Sequence, residues 1–438
     1  MISTIDLNRY NYILKNIDPV QYTGNVTRVI GLTIESKGPL VELGEICQLY
    51  TLKGDSYIKA EVVGFKEKNV LLMPYGDMQG IGPGSKVIAT KKPFTIPVGL
   101  DLLGRVLDGA GLPMDHKGAI TPENFVEIAN EPPNPLERQR IDKPLSFGIR
   151  AIDGMLTCGQ GQRMGIFAGS GVGKSTLLGM IARNSDADVN VIALIGERGR
   201  EVREFLERDL GEDGLKRSVL VVATSDKPAL LRVKGAMVAT AIAEYFRDMG
   251  KNTLFMMDSL TRLAMAQREV GMAIGEPPVA RGYTPSVFAM LPKLLERSGN
   301  SKDGSITGLF TVLVDGDDFN EPISDAVRGI LDGHIVLSRD LANANHYPAI
   351  DVLSSVSRVM PDIVDRSHLH NSNRIKELMA VYNESEDLIN IGAYRQGAAA
   401  EIDEAIDKRA EIIKFLRQDI DENSTFDETI SWVNSIVK

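Results

Sequence analysis

The chain has 438 residues, room for roughly three domains and for an apolar core that needs no disulfide or metal staple. With 49 Lys and Arg against 59 Asp and Glu its net charge is −10, which argues against a general nucleic-acid binder. The two cysteines and five histidines show no metal-ligand spacing. No apolar run is long enough to span a bilayer, and the N-terminus lacks the features of a signal peptide, so the sequence reads as a cytoplasmic protein with reduced thiols.

Residues 1–20 place Ile2, Ile5, Tyr10, Ile13, Leu14 and Ile17 at helical spacing and close at Pro19. Such a segment is either a short helix packed on its own domain or a docking helix for a partner. Residues 21–91 carry short β-branched and aromatic runs, VTRVIGLTIE, ICQLYTL, YIKAEVVGF and NVLLMPY. Gly and Pro turns separate them, the pattern of a small closed barrel. Pro93 and Pro97 mark a linker. From about residue 140 apolar runs (RMGIFAG, VNVIALIG, SVLVVATS, TLFMMD, ITGLFTVLVD) alternate with helical stretches. That alternation predicts a parallel sheet covered on both faces. After about residue 365 the pattern is helical, and the last helix is expected to expose Trp432, the only tryptophan. The expectation is an α/β chain: a barrel over 21–91, a sheet-based core over 92–364 and a helical domain over 365–438.

Ala168-Gly169-Ser170-Gly171-Val172-Gly173-Lys174-Ser175 sits between the strand RMGIF and the helical stretch TLLGMIARN. Ala168 stands where the strict phosphate-loop pattern GxxxxGK[ST] has Gly. The glycines still let backbone N–H groups turn inward toward phosphate oxygens, and the following helix adds its positive end. Lys174 reaches the β- and γ-phosphates in such a loop, Ser175 holds Mg²⁺, and Gly169, Ser170, Gly171, Val172, Gly173 and Thr176 complete the nucleotide-binding set. Leu254–Asp258 is an apolar strand ending in a carboxylate, which emerges at the same sheet edge as the loop and suits Mg²⁺. Glu197, directly after another apolar strand, is the candidate base for an attacking water. A surface ion pair with Arg198 is its other reading.

Taken together, AGSGVGKST, LIGERGREVREF, MMDSLTRLAMAQREVG, Tyr347-Pro348-Ala349-Ile350-Asp351 and Ser355-Val356-Ser357-Arg358 resemble the ring ATPases related to the rotary ATP synthase. GDDFNEPISDAVRGILDGHIVLSR and NIGAYRQG look most like the bacterial flagellar protein-export ATPases, with the virulence type III secretion ATPases as a close sister group. The resemblance covers about residues 21–420. It implies a RecA-like P-loop NTPase core between an N-terminal β-barrel and a C-terminal helical domain, using ATP and Mg²⁺.

By the same resemblance, Lys174 and Ser175 bind phosphates and Mg²⁺, Glu197 polarises water and Asp258 is the Walker B acid. Arg262 lies near the γ-phosphate or forms a structural salt bridge. Tyr347 stacks on adenine, and Tyr394 either closes the other side of that pocket or is a core tyrosine. Arg358 is an arginine finger supplied by a neighbouring subunit. One chain with both Glu197 and Arg358 suits a homohexamer. The implied activity is ATP hydrolysis assisting flagellar export, by unfolding or chaperone release and delivery to the export gate, with virulence secretion as the alternative. An RNA-translocating ring and a non-catalytic ring subunit fit less well, for want of an RNA-binding surface and because Glu197 is present. The implied partners are a dimeric regulator on the N-terminal helix, a coiled-coil stalk protein in the ring's pore, gate proteins, export substrates and chaperones. Membrane association is peripheral, at the cytoplasmic face of the inner membrane at the flagellar base.

Overall fold

The computed structural model describes residues 21–314, 318–319 and 321–438; the expected docking helix of residues 1–20 lies outside them. The chain divides into two compact units, one running through Phe94 and including Ala273–Gly275, the other made of Thr95–Met272 and Glu276–Lys438.

In the first unit β1 (Thr23–Ile30), β2 (Thr33–Lys37), β3 (Ile46–Tyr50), β4 (Tyr57–Lys66), β5 (Asn69–Pro74) and β6 (Lys86–Ala89) close into an antiparallel barrel, in the order β1-β2-β5-β4-β3-β6. Alternate residues point inward and make its core: Val26, Ile34, Cys47, Leu49, Val62 and Leu72 are all buried. The run VTRVIGLTIE is two strands, because Gly31 adopts φ 54° and reverses the chain. Strand β6 has four residues, too few to show a period in the sequence.

The second unit opens with β7 (Thr95–Val98), β8 (Val106–Asp108) and β9 (Asn124–Glu127). Pro97 lies in β7 opposite Phe125 of β9. The expected linker is therefore a two-stranded ribbon, and a ribbon has the free edge that proline needs. The chain continues through α1 (Arg150–Met155), β10 (Arg163–Ala168), α2 (Lys174–Asn184), β11 (Val189–Ile195), β12 (Ser218–Ala223), α3 (Ala229–Asp248), β13 (Asn252–Asp258) and α4 (Leu260–Ala273). Then come β14 (Gly299–Asn300), β15 (Ser305–Leu313), β16 (Gly333–Leu337) and β17 (Ile350–Ser357), followed by the helices α5 (Arg366–Asn390), α6 (Ala400–Leu416) and α7 (Phe426–Val437).

A nine-stranded sheet runs β17-β16-β10-β15-β13-β11-β12-β8, with β14 paired on β15. All neighbours are parallel except β17 against β16 and β14 against β15. The central strands are buried end to end, which is why they read as continuous apolar runs. Helix α3 covers β11, β12 and β13. Leu177 and Ile181 of α2 share one core with Ile375 of α5, Phe415 of α6 and Val433 of α7. The C-terminal helices are thus continuous with the core that carries the phosphate loop.

A buried ion pair ties α3 to the segment after α4. Arg297 donates to both Glu244 carboxylate oxygens at 2.8 and 2.7 Å and to the Ile128 carbonyl at 2.9 Å. Both side chains are almost fully enclosed. Glu244→Ala leaves the guanidinium buried without a counter-charge, an expected loss of about 3–5 kcal/mol. Urea unfolding checks this through the transition of the second unit; an unmoved midpoint overturns it.

Candidate functional site

Strand β10 ends at the buried Ala168, and the next five residues turn into α2. Gly171 and Gly173 take φ 80° and 88°, left-handed values that a side chain disfavours. No side chain caps the start of α2, so its first N–H groups face a ligand position at the helix's positive end.

Strand order explains what gathers there. Between β10 and β11 lie β15 and β13, so their C-terminal ends form one row above the loop. Lys174 ion-pairs with Asp258 at the end of β13 and stands 3.9 Å from Glu197 Oε1, just past β11. From β15, Thr311 donates to Asp258 Oδ1 at 2.7 Å. From α4, Arg262 Nε donates to Glu197 Oε1 at 3.1 Å. Gly196 lets Arg262 come so close: a Cβ there would lie 2.9 Å from the arginine's own Cβ. Arg198 pairs with Glu201 rather than with Glu197.

These charges share a partly dry edge. Burial pushes the Glu197 carboxyl up to about 7, helped by the charge of Asp258 and opposed by Lys174 and Arg262. Glu201 hydrogen-bonds Glu197 and is itself held below the usual carboxylate range by that bond.

A cavity of about 450 Å³ borders Gly169–Gly171, Gly173–Thr176, Glu197 and Arg262. A larger one of about 920 Å³ lies on the other side of the loop, between Gly173, Thr176, Tyr347, Ile413, Gln418 and Trp432. The first suits phosphates and the second a nucleoside. Tyr347 is 41% exposed, and its ring edge would lie 3.4 Å from a Cβ on Gly173.

Two expectations need correction. Tyr394 does not line the cleft: its hydroxyl bonds the Ala399 carbonyl and the Asp403 carboxylate, both at 2.9 Å, and closes the loop between α5 and α6. Ile413 and Gln418 make that wall instead. Nor is Trp432 simply displayed to solvent. It packs edge-on against Phe415 and lines the cleft, because α7 lies against α1 and α5.

Arg358 is exposed and follows β17, and its N–H donates to the Asp332 carbonyl just ahead of β16. Since β17 is antiparallel, this is the N-terminal edge of the parallel strands. The phosphate loop of the same chain lies at the other edge, roughly 20 Å of strand away.

The chain matches three family descriptions in order: the β-barrel domain of the ATP synthase alpha/beta family over residues 26–91, its nucleotide-binding domain over 148–357, and the type III secretion ATPase C-terminal domain over 364–435. It is 58% identical to the flagellum-specific ATP synthase of Bacillus subtilis, covering 96% of each chain. It is 53% identical to the type 3 secretion system ATPase of Xanthomonas euvesicatoria, covering 94% of this chain and 93% of that one. The chain belongs to the flagellar and type III secretion ATPase family. The structure superposes on the assembled ATPase EscN of enteropathogenic E. coli with a TM-score of 0.90, at 49% identity, over 95% of this chain and 100% of that one. EscN bound to its central stalk EscO gives 0.89 at 48% identity, over 95% of this chain and 100% of that one.

An ATPase of this family is expected to hold Mg²⁺, and the donors fit. Ser175 offers a hydroxyl and Asp258 a buried carboxylate, both hard oxygen ligands. Among the described residues no group of three or more His, Cys, Asp or Glu forms a metal cage. So sparse a set suits an ion that keeps waters and bridges to substrate phosphates.

Sequence reasoning missed Thr311 and Glu201. A threonine inside the apolar run GLFTVLV was a usable signal, since a buried hydroxyl needs a partner. The Glu197–Glu201 bond had no signal.

Gly173→Ala places a side chain at a left-handed residue and against Tyr347, so ATP affinity should fall about tenfold or more. Equilibrium titration of ATP measures it; unchanged affinity overturns this account of the loop.

Proposed function

We propose that this ATPase works as a homohexamer coupling Mg²⁺-dependent ATP hydrolysis to flagellar protein export. The observation that carries the reading is the placement of Lys174 between Asp258 and Glu197, at the lip of a phosphate-sized cavity. In this reading the loop N–H groups and Lys174 bind the β- and γ-phosphates. Tyr347 takes one face of the adenine. Ser175 and Asp258 hold Mg²⁺, which when bound neutralises phosphate charge. Glu197 orients the attacking water and accepts its proton. The water oxygen bonds the γ-phosphorus, the bond to the β-phosphate oxygen breaks, and ADP and phosphate leave. Arg262 steadies Glu197 beforehand and is within reach of the γ-phosphate.

Arg358 stands at the wrong edge to serve its own site, which supports a role in the site of a neighbouring copy. A guanidinium supplied in this way contributes about 10³–10⁵ in rate by neutralising transition-state charge. The assembled EscN supports the ring, and its complex with EscO supports a stalk protein in the pore. The dimeric regulator on residues 1–20, the gate proteins, and the substrates and chaperones at the C-terminal helices complete the proposal. Among the described residues no helix is long and apolar enough to cross a membrane, which fits peripheral recruitment to the cytoplasmic face of the inner membrane. The secretion ATPase of Xanthomonas euvesicatoria supports a second reading, the same chemistry in a virulence machine.

Glu197 accepts a proton only when ionised, and its carboxyl sits at about 7. The acid limb of kcat/KM should therefore have its midpoint near pH 7 and fall about tenfold per unit below it. Glu201→Gln replaces a carboxyl partner by an amide donor, favours the ionised form and moves that midpoint lower. Glu197→Gln binds ATP and does not turn over. A steady-state pH profile reads the first two, and equilibrium titration of ATP beside a turnover assay reads the third; normal turnover of Glu197→Gln removes it as the base.

Arg358→Ala should leave ATP binding by dilute protein nearly intact and lower kcat by about 10³-fold or more. Specific activity of the parent protein should climb with protein concentration as the ring assembles. Equal losses of binding and turnover would make Arg358 a structural residue.

A further inference from the structure

The segment Arg417–Glu422 crosses the nucleoside end of the cleft between α6 and α7, and residues on α1 and α2 hold it there. Arg150 of α1 is almost wholly buried. Its Nε donates to the Phe415 carbonyl at 3.0 Å, and its Nη atoms bond the Arg417 carbonyl and the Glu422 carboxylate. The Trp432 ring lies over the guanidinium, 4.9 Å from its carbon. From the last turn of α2, Arg183 Nη2 donates to the Ile420 carbonyl at 2.8 Å. Gln418 completes the link: its N–H donates to the Tyr347 carbonyl at 3.0 Å, its Oε1 accepts from the Arg150 N–H at 2.8 Å, and its Nε2 donates to the Gly148 carbonyl at 2.7 Å.

The guanidinium thus anchors Arg417–Glu422 to α1, and the Gln418 N–H ties the same segment directly to the wall carrying Tyr347. We infer that Arg150 is a positioning residue for the nucleoside end of ATP, holding Arg417–Glu422 opposite Tyr347 through its planar fork. This rests on the reading of the cleft as the ATP site. A lysine keeps the charge, but its three donors share one nitrogen at the end of a flexible stem, so it cannot span the two carbonyls and the carboxylate that the planar fork meets. The phosphate end has its own supports in Lys174, Asp258 and Thr311, and none of them touches Arg150.

The two ends can be read separately with inorganic tripolyphosphate, which has no nucleoside, as a competitive inhibitor. In Arg150→Lys the KM for ATP should rise about tenfold while kcat stays within about twofold and the tripolyphosphate inhibition constant is unchanged. Glu422→Gln, a milder change at a half-exposed partner, should raise KM by about threefold with the same split. Parallel weakening of ATP and tripolyphosphate would mean general damage to the fold and overturn the proposal. So would an unchanged KM in both variants. If tripolyphosphate fails to compete with ATP in the unsubstituted protein, the phosphate-loop reading itself fails and the proposal falls with it.

Discussion

One ammonium group between two carboxylates organises the candidate site. Lys174 meets Asp258 and stands within ion-pair distance of Glu197, to which Arg262 adds a second positive charge, so two cations face two carboxylates at a half-dry sheet edge. Burial, helped by the charge of Asp258, outweighs the two cations, which is why Glu197 binds its proton more tightly than a free glutamate does. Everything else at this edge serves the arrangement: the strand order brings β10, β13 and β11 to one row, Thr311 satisfies Asp258, and Arg262 satisfies Glu197. A triphosphate entering the cluster would offer Lys174 a stronger anionic partner than either carboxylate, and the cluster would rearrange around it.

The parts legible in the sequence are those whose physics is local. The phosphate loop declares itself because glycines, Lys174 and Ser175 are contiguous and lie between a strand and a helix. Asp258 and Glu197 are legible because a carboxylate directly after an apolar strand has one place to go in a parallel sheet. The five long apolar strands follow from burial on both faces. Strands β6, β7 and β8 escape because three or four residues carry no period, and Pro97 masks β7 as a linker.

Contacts between distant segments are another matter. Thr311 meets Asp258 across 53 positions of sequence, and Arg150 meets the segment after α6 across more than 260. Nothing in the neighbourhood of either residue announces its partner. Tyr394 shows the opposite failure. An aromatic residue in the C-terminal part was a reasonable wall for the cleft, but its hydroxyl found two acceptors in its own loop, and the wall is made by a glutamine and an isoleucine. Trp432 was expected on the exposed side of the last helix, yet that helix turns it edge-on against Phe415.

In the ring proposed above, the position of Arg358 would give every subunit a front and a back. A surface that offers a phosphate loop at one sheet edge and an exposed arginine at the other would join head to tail, and such contacts close into a ring or run on as a filament. A site assembled in this way belongs to two chains at once, and that has a genetic signature. A chain lacking only Lys174 and a chain lacking only Arg358 would each be inert by itself. In a mixed ring, the intact loop of the second would face the intact arginine of the first, so two null alleles carried in one cell would complement each other.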